Sequence, residues 1–425
     1  MSLAAPFLLL LAILRTPLFV VIALSAMIGF YSQEVDLSVI SIEIYRLAEM
    51  PVLIAIPLFT FAGYLLGEGN ASTRLVKLSN ALLGWMPGGL AIVAIFTCAL
   101  FTAFTGASGI TIVALGGLLY PALKQAGYLE NFNLGLLTSS GSLGLLFAPS
   151  LPLILYGVVA QQMDLEQPVS ITDLFLAGIF PGLLMLVMLS IYSMLQPRDR
   201  SQQQAFEMKT AIAAISDAKW EIPLPFLVLG GIYGGYFAVS EAAAVTAVYV
   251  LITEVLIIRE IRVGQLPEIM REAMMLVGGI LIIVGVSLAS TNYMIDAEVP
   301  TRMFEFVQQH IDEKLTFLIL LNLFLLVLGM MLDIFSAIVI IVPIILPIAV
   351  GYGIHPVHLG IIFLANMQLG YFTPPVGMNL FIASYRFEKP VMTLYLATIP
   401  FFVVLLIAVL VITYWPTLSL ALLAG

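Results

Sequence analysis

Asp333 is an acidic residue at the centre of a long apolar run, residues 315–350. A carboxylate at mid-membrane costs roughly 2.5–3.5 kcal/mol on insertion scales, so its side chain needs a partner. One interpretation is that Asp333 caps the helix that follows it, because free N–H groups and the helix dipole accept negative charge there. The other interpretation is that the carboxylate contributes to a cation site. The two are compatible, and the sequence leaves both open.

Hydroxyl and amide side chains cluster at the points where apolar segments are interrupted by Gly, Pro, Ser and Thr. An unwound membrane helix frees carbonyl oxygens, which suit Na⁺, and N–H groups, which suit a carboxylate or sulfonate. An isolated hydroxyl bonds back to its own helix instead, so the clusters carry the prediction. The predicted Na⁺ ligands are Thr105, Gly106, Ser108, Ser139, Asp333, Ser336, Asn366 and Thr373. The predicted substrate-binding residues are Ser139, Ser140, Ser150, Thr373, Pro374 and Asn379.

The composition excludes most other chemistry. Of the 425 residues, 61% are apolar and 10% are charged, whereas a soluble protein is nearer half apolar and a quarter charged. The net charge of −9 has the wrong sign for a nucleic-acid partner. The one cysteine, Cys98, excludes an internal disulfide. The apolar composition predicts a polytopic membrane protein. The chain has no phosphate-binding loop motif, and its histidines are expected in outer loops, so we predict that it is not an enzyme. These histidines are His310, His355 and His358.

Eleven apolar segments are separated by charged breaks, and each crossing needs about 20 apolar residues. The segments are 3–30 (broken at Arg15), 51–68, 86–123, 132–160, 174–196, 222–237, 240–258, 272–291, 315–350, 358–383 and 391–415. Two of them, 86–123 and 315–350, are too long for one crossing and have polar midpoints, so we interpret both as re-entrant hairpins. Basic residues mark cytoplasmic loops. If both segments are hairpins, the loop charges make the first hairpin open towards the cytoplasm and the second towards the outside. Charge alone does not exclude a double crossing in either segment.

An internal repeat relates the two halves of the chain. At a constant offset of 226 residues, two glycines and two prolines in the first half align with the same residue types in the second. The aligned pairs are Pro121 with Pro347, Gly127 with Gly353, Gly144 with Gly370, and Pro149 with Pro375. A single crossing at 222–237 would invert the second half, and inverted repeats with paired broken helices are typical of secondary transporters.

The same residues resemble the large membrane subunit (DctM-type) of tripartite ATP-independent periplasmic (TRAP) transporters. The most specific stretch is Thr-Pro-Pro-Val-Gly-Met-Asn-Leu-Phe at 373–381. Further matching stretches are 104–109, 139–140, 149–152, 156–157, 240–242, 329–333, 343–347 and 370–372. The resemblance covers essentially the whole chain.

The resemblance implies an elevator-type fold in the inner (cytoplasmic) membrane of a bacterium or archaeon, with phospholipid around it. It implies Na⁺ as the co-transported ion and a small organic anion as the substrate. A soluble periplasmic binding protein would deliver that anion, and a separate four-helix membrane subunit (DctQ-type) would complete the scaffold. A binding-protein-independent Na⁺/anion symporter of the same architecture stays open as the alternative.

On this resemblance the chain divides into scaffold and transport parts. The scaffold takes 1–85 with a first arm, 161–221 with a cytoplasmic linker, 222–314 with a second arm, and the C-terminal helix in 386–425. The transport domain takes 86–160 and 315–385, each a hairpin followed by a broken helix. An intramembrane enzyme or a passive channel would need a catalytic pair or an unbroken polar pore, and the sequence offers neither.

Overall fold

Every regular element in the described part of the chain is a helix, as the sequence predicts. The computed structural model describes residues 7–8, 10–11, 16–163, 165, 167–196, 206–311 and 313–423. The predicted break at Arg15 lies outside these described residues. The first half contains α1 (Leu18–Ser32), α2 (Ser38–Ala48), α3 (Ala55–Glu68), α4 (Ala71–Leu83), α5 (Gly89–Thr105), α6 (Ser108–Gln125), α7 (Glu130–Ser140), α8 (Leu151–Gln161) and α9 (Ile171–Met194). The second half contains α10 (Met208–Asp217), α11 (Pro223–Tyr233), α12 (Val239–Leu251), α13 (Leu266–Asp296), α14 (Val299–His310), α15 (Lys314–Met331), α16 (Ile334–Gly351), α17 (Pro356–Gly370), α18 (Met378–Phe387), α19 (Val391–Tyr414) and α20 (Thr417–Leu420).

Several helices are membrane-spanning in length and composition. Within the described ranges, seven are long and apolar enough to cross a bilayer, and the pair α7 and α8, bent by 42° at its break, adds an eighth. Large apolar side chains are exposed on the outer faces of α9, α13 and α19, where a lipid environment suits them better than water does. The prediction of a multi-span membrane protein is therefore confirmed.

The predicted crossing at 222–237 is shorter than expected. Its helix, α11, has 11 residues, which gives it a length of about 16 Å at 1.5 Å per residue. That is about half of the hydrocarbon thickness of a bilayer. Gly234 and Gly235 follow directly, and Gly235 adopts a positive φ of 70°, which ends the helix. An apolar stretch alone does not reveal where such glycines stop a helix.

The helix boundaries recur at the offset found in the sequence. Moving α6 by 226 residues reproduces the bounds of α16 at both ends, and moving α5 reproduces the last residue of α15. Equivalent glycines also make equivalent contacts. A Cβ added to Gly144 would meet the backbone of Ala103, and one added to Gly370 would meet the backbone of Gly329, the residue 226 positions after Ala103.

The broken helices form the centre of the molecule. All 15 residues of α17 are buried, and so are the last nine residues of α7. An apolar periodicity cannot identify which face of such helices points inward, because every face does. Around this centre pack the paired helices α5 with α6 and α15 with α16.

The helices pack in two groups. α13 lies against α1, α2 and α3, and α12 lies against α3. The long helices α9 and α19 pack against the hairpin and broken-helix elements: α9 contacts α5, α8 and α17, while α19 contacts α7, α17 and α18. The arm helix α4 connects the groups, since it follows α3 in the chain and packs on α5.

One histidine does not lie in an outer loop as predicted. Pro356 is the first residue of α17, so this helix begins earlier than the apolar pattern indicates and takes in His358, which is buried. Its ring nitrogens lie 3.1 Å from Ser419 Oγ and 3.3 Å from the Thr413 carbonyl oxygen. His358 is therefore part of the packing between α17 and the C-terminal helices.

We predict that Gly370→Ala destabilises the protein, because the new methyl group meets the Gly329 backbone and neither helix can yield. Overpacking of this kind costs about 1–3 kcal/mol. Thermal unfolding of the detergent-purified protein measures the loss. Gly278→Ala is the matched control, since nothing lies within 4 Å of a Cβ added there, and it should leave the Tm unchanged or raise it. Equal effects of the two substitutions would contradict the close packing of α17 on α15.

Candidate functional site

Four chain breaks converge on one region of the protein. The first is Gly106-Ala107 between α5 and α6, where Gly106 adopts a positive φ of 66°. The second separates α7 from α8, and its Ala148–Pro149 bond is cis. The third is Leu332-Asp333 between α15 and α16. The fourth separates α17 from α18, and its Pro374–Pro375 bond is also cis.

Asp333 caps α16, as one of the two interpretations predicts. Its Oδ1 accepts hydrogen bonds from the N–H groups of Phe335 and Ser336, both at 3.0 Å. Its Oδ2 accepts from the Ser336 hydroxyl at 2.5 Å. The Ile334 N–H donates to the Tyr371 hydroxyl at 2.7 Å. The N-terminus of α16 is therefore satisfied from within the protein.

The N-terminus of α6, at the tip of the first pair, differs. Its N-cap residue is Ala107, whose side chain has no acceptor. The N–H groups of the first turn of a helix have no intrahelical acceptor, so those of Ser108, Gly109 and Ile110 are available to a ligand. This tip and the cap at Asp333 face the same cavity.

Asn379 connects the two halves of the site. The Ser108 hydroxyl donates to Asn379 Oδ1 at 2.8 Å, and Asn379 Nδ2 donates to the Thr138 carbonyl at 3.3 Å. This amide therefore joins the tip of the first hairpin, the start of α18 and the end of α7. Both residues predicted from the sequence, Ser108 and Asn379, are fully or almost fully buried.

Several predicted hydroxyls bond to nearby carbonyl groups, which is the ordinary role named above for isolated residues. Ser139 donates to the Gly135 carbonyl at 2.8 Å, and Thr373 donates to the Leu369 carbonyl at 2.6 Å. Ser150 donates to the Leu145 carbonyl at 2.5 Å. The Thr105 hydroxyl lies 3.5 Å from the Ala107 carbonyl. Hydroxyl oxygens in such bonds keep a lone pair that a cation can use.

Two predicted residues at repeat-equivalent positions have unpartnered oxygens. Ser140 Oγ and Asn366 Oδ1 are buried without a hydrogen-bond partner, and the two residues are 226 positions apart. Asn366 Nδ2 is satisfied by Asn322 Oδ1 at 2.7 Å and by the Ile362 carbonyl at 2.9 Å. Buried oxygens without donors are expensive unless a ligand or water reaches them.

Gln368 was missed by sequence reasoning. Both polar atoms of its side chain are buried without a partner. Its backbone carbonyl accepts from the Ser142 hydroxyl at 3.4 Å, and Ser142 is its equivalent in the first half. The contact between equivalent residues indicates that the two halves meet here. The 226-residue offset from Ser142 was the available signal.

A cavity of about 830 Å³ lies between the hairpin tips and helices α3 and α13. Of the predicted site residues, Gly106, Ser108 and Asp333 line it. Ser139, Ser140, Ser150, Ser336, Asn366, Thr373, Pro374, Asn379 and Thr105 lie outside its lining. Glu68 of α3 and Glu272 of α13 also line the cavity, and neither is among the site residues predicted from the sequence. None of the described lining residues is basic.

A cation at this site would be held by oxygen atoms of mixed origin. Within the described part of the chain, no three His, Cys, Asp or Glu side chains come together as a metal site. The available donors are hydroxyls, backbone carbonyls at the breaks and the Asp333 carboxylate, a set that suits a hard monovalent ion.

The fold is similar to a solved transporter structure. The crystal structure of the YdaH transporter of Alcanivorax borkumensis superposes with a TM-score of 0.65, covering 89% of this chain and 87% of that one. The two sequences are 15% identical, so the similarity shows a shared fold alone.

Sequence relatives come from several bacteria. An isethionate TRAP transporter permease protein, DctMQ, of Oleidesulfovibrio alaskensis is 35% identical over 94% of this chain, which spans 62% of that relative. A C4-dicarboxylate TRAP transporter large permease protein, DctM, of Pseudomonas aeruginosa is 32% identical over 90% of this chain and 88% of the relative. The ectoine large permease protein TeaC of Halomonas elongata is 29% identical over 96% of both chains.

The sequence model of one family matches residues 5–418. The resemblance found in the sequence is thereby confirmed over nearly all of the chain. This protein belongs to the family of the DctM component of tripartite ATP-independent periplasmic transporters, and it is a transporter permease and not an enzyme.

Proposed function

We propose that this permease carries out Na⁺-coupled uptake of a small organic anion, a carboxylate or a sulfonate. The observation that carries the proposal is the charge of the cavity: Glu68, Glu272 and Asp333 line it, and no described lining residue is basic. An anion cannot bind stably beside three carboxylates unless cations enter with it. Co-binding of Na⁺ supplies that charge and couples anion binding to the Na⁺ gradient.

In this proposal, one hairpin tip binds the anion and the other binds Na⁺. The uncapped N-terminus of α6 offers the N–H groups of Ser108, Gly109 and Ile110 to the anion. The tip at Asp333 carries a carboxylate whose lone pairs are only partly used, and it suits Na⁺. The unpartnered oxygens of Ser140 and Asn366 support cation sites at both broken helices.

The proposed mechanism is an elevator built on inverted repeats, with two re-entrant hairpins and two broken helices. The recurrence of helix bounds at 226 residues supports the repeat. The packing of α9 and α19 on the hairpins and broken helices favours placing both in the moving body. In this respect the proposal departs from the division expected from the sequence, which assigns the long helices of 161–221 and 386–425 to the scaffold. The scaffold is then α1, α3, α12 and α13.

We further propose that the protein lies in a bacterial inner membrane with two protein partners. A periplasmic binding protein would deliver the anion, and a four-helix DctQ-type subunit would complete the scaffold. The relative named DctMQ, of which this chain spans 62%, supports the second partner. Phospholipid would cover the exposed apolar faces of the spans.

We predict that uptake into proteoliposomes needs a Na⁺ gradient, the DctQ-type subunit and the binding protein together. Omission of any one should reduce uptake of the labelled anion to the level of empty liposomes. The readout is the initial rate with each component left out in turn. Undiminished uptake without the binding protein would replace this proposal with the binding-protein-independent Na⁺/anion symporter.

We predict that Asp333→Asn raises the Na⁺ concentration for half-maximal uptake about tenfold, the equivalent of roughly 1.4 kcal/mol. Asparagine keeps an oxygen that can cap α16, so the substitution mainly removes the charge. Uptake measured against Na⁺ concentration gives the value, with Asp217→Asn on the exposed face of α10 as the control. Affinity for the binding protein should not change. An unaltered Na⁺ dependence would exclude Asp333 from the cation site.

We predict that Ser140→Ala reduces the rise in Tm that Na⁺ produces while leaving the Tm without Na⁺ unchanged or higher. An unpartnered buried hydroxyl costs free energy when no ligand is bound, so its removal is harmless in that state. Ser193→Ala is the matched control, because Ser193 Oγ is also buried and unpartnered but lies in α9, away from the breaks. The same loss of the Na⁺ effect in both variants would contradict a Na⁺ ligand at Ser140.

A further inference from the structure

A buried ionic cluster lies away from the cavity, on the arm helix α4. Arg74 donates from Nε to Glu221 Oε1 at 2.5 Å, from Nη2 to Glu254 Oε1 at 2.9 Å and from Nη1 to Glu260 Oε1 at 2.5 Å. These four residues, called the Arg74 cluster below, come from four separate parts of the chain: α4, the segment before α11, the π-helical turn after α12, and the segment before α13.

The cluster has too many carboxylates for its one guanidinium group. Side-chain exposure is 4% for Glu221 and 1% for Glu254, so water screens neither charge. If all three carboxyl groups are ionised, two negative charges are left uncompensated in a poorly solvated place. Desolvation and like-charge repulsion both favour the binding of a proton by one of them.

The hydrogen bonds identify which carboxyl group that is. Glu221 Oε2 and Glu254 Oε2 are buried without a partner. The Nε and Nη2 atoms of Arg74 share one edge of the planar guanidinium group, an edge that ordinarily takes both oxygens of a single carboxylate. Here it takes one oxygen from Glu221 and one from Glu254, which brings these two carboxyl groups side by side.

Glu254 also approaches the third carboxyl group. A Cβ added to Gly69 would lie 2.6 Å from Glu254 Oε2 and 3.4 Å from Glu260 Oε2, so both oxygens converge on one point beside this glycine. Glu260 Oε2 already accepts from the Asn70 N–H at 2.7 Å and has a second lone pair available. Glu254 is therefore the carboxyl group that faces both others.

The carboxyl groups of the Arg74 cluster are not arranged to bind a metal ion. Among the residues that the structure describes, no group of three acidic, His or Cys side chains could hold one, and the Arg74 cluster is among those searched. Arg74 already occupies one oxygen of each carboxyl group. A proton needs no such coordination sphere and satisfies the unpartnered Glu254 Oε2 directly.

We propose that Glu254 holds a proton at neutral pH and shares it with Glu260, and that this proton fastens the arm helix α4 to the scaffold. Glu254 lies in the π-helical turn Ile252–Ile257 that continues α12. Turns of this kind are rare in proteins, and those that occur are often found at functional sites. The charged groups facing it are Arg74 from α4, Glu221 from the segment before α11 and Glu260 from the segment before α13.

The neighbouring carboxyl groups behave as the proposal requires. Burial opposes ionisation of Glu260, but its hydrogen bonds from Arg74 and the Asn70 N–H outweigh burial and hold its pKa below the ordinary value. Glu260 is thus the anionic acceptor. Burial raises the pKa of Glu221 although Arg74 opposes this, which agrees with a cluster that does not hold three full negative charges.

A proton bound in the folded state and absent from the unfolded chain makes stability depend on pH. Its contribution is complete at acid pH and is lost as the pH rises through the point where the folded protein releases it. The inference goes beyond the proposed transport function, because it concerns the attachment of α4. Its readout needs no substrate, so a negative result would leave the transport proposal untouched.

The test is thermal unfolding of the purified full-length protein between about pH 6 and about pH 9. The wild-type Tm should fall by about 2–4 °C more than that of Glu254→Gln, because glutamine is a neutral replica of the protonated side chain. Glu268→Gln, at an exposed position in the first turn of α13, is the matched control and should follow the wild type. Infrared spectra at neutral pH should show a protonated carboxyl band that Glu254→Gln lacks.

Two outcomes would overturn the proposal. If Glu254→Gln keeps the pH dependence of the wild type, the titrating group is elsewhere. If Glu254→Gln is destabilised at every pH, or does not fold, Glu254 is an ionised partner of Arg74, because a neutral side chain of the same shape would otherwise be tolerated.

Discussion

The structure depends on one constraint: within the hydrocarbon layer, each backbone N–H and C=O group needs a partner from the protein itself. Continuous helices meet this requirement unaided, but the four breaks between α5 and α18 do not. The protein solves the problem by enclosure. All of α17 and most of α7 are buried, and the first and third breaks line the cavity through Gly106, Ala107 and Asp333. At the fourth break, by contrast, Pro374, Pro375 and Val376 are exposed. The site lies where it does because irregular backbone is tolerated only there.

The same constraint explains the difference between the two tips. At the second tip, Asp333 and Tyr371 occupy the first N–H groups of α16, and the carboxylate remains as a local negative charge. At the first tip, Ala107 leaves the N–H groups of α6 without a side-chain cap. In the proposed mechanism, one tip therefore attracts cations and the other attracts anions, although the two tips occupy equivalent positions in the repeat. A pair of self-capped tips would leave no place for an anion in a cavity lined by carboxylates.

The sequence predicts local features well and distant ones poorly. The polar interruptions in the apolar runs predict the positions of the breaks. The acidic side chain at position 333 predicts the helix cap that Asp333 forms on α16. The offset of 226 residues anticipates both bounds of α16 and the last residue of α15. Glu68 and Glu272 were missed because each lies at the end of an apolar run, where an acidic residue is ordinary. The Arg74 cluster could not be predicted from the sequence, because its members are far apart in the chain, at residues 74, 221, 254 and 260. The helices that α9 and α19 pack against could not be predicted, because a hydropathy pattern contains no information on contacts between helices.

The arm helix α4 has a special position in this arrangement. It follows α3 in the chain and packs against α5, so in the proposed elevator it is one of the connections between the scaffold and the moving body. Arg74 links the first turns of α4 to the segments before α11 and α13 and to the π-helical turn after α12, and Ser79 in its second half accepts a hydrogen bond from Thr97 of α5. In the proposed mechanism, the start of α4 is thus held by the scaffold, while its end contacts a helix of the moving body. Because an unpaired buried charge costs several kcal/mol, the Arg74 cluster opposes separation of α4 from these three segments.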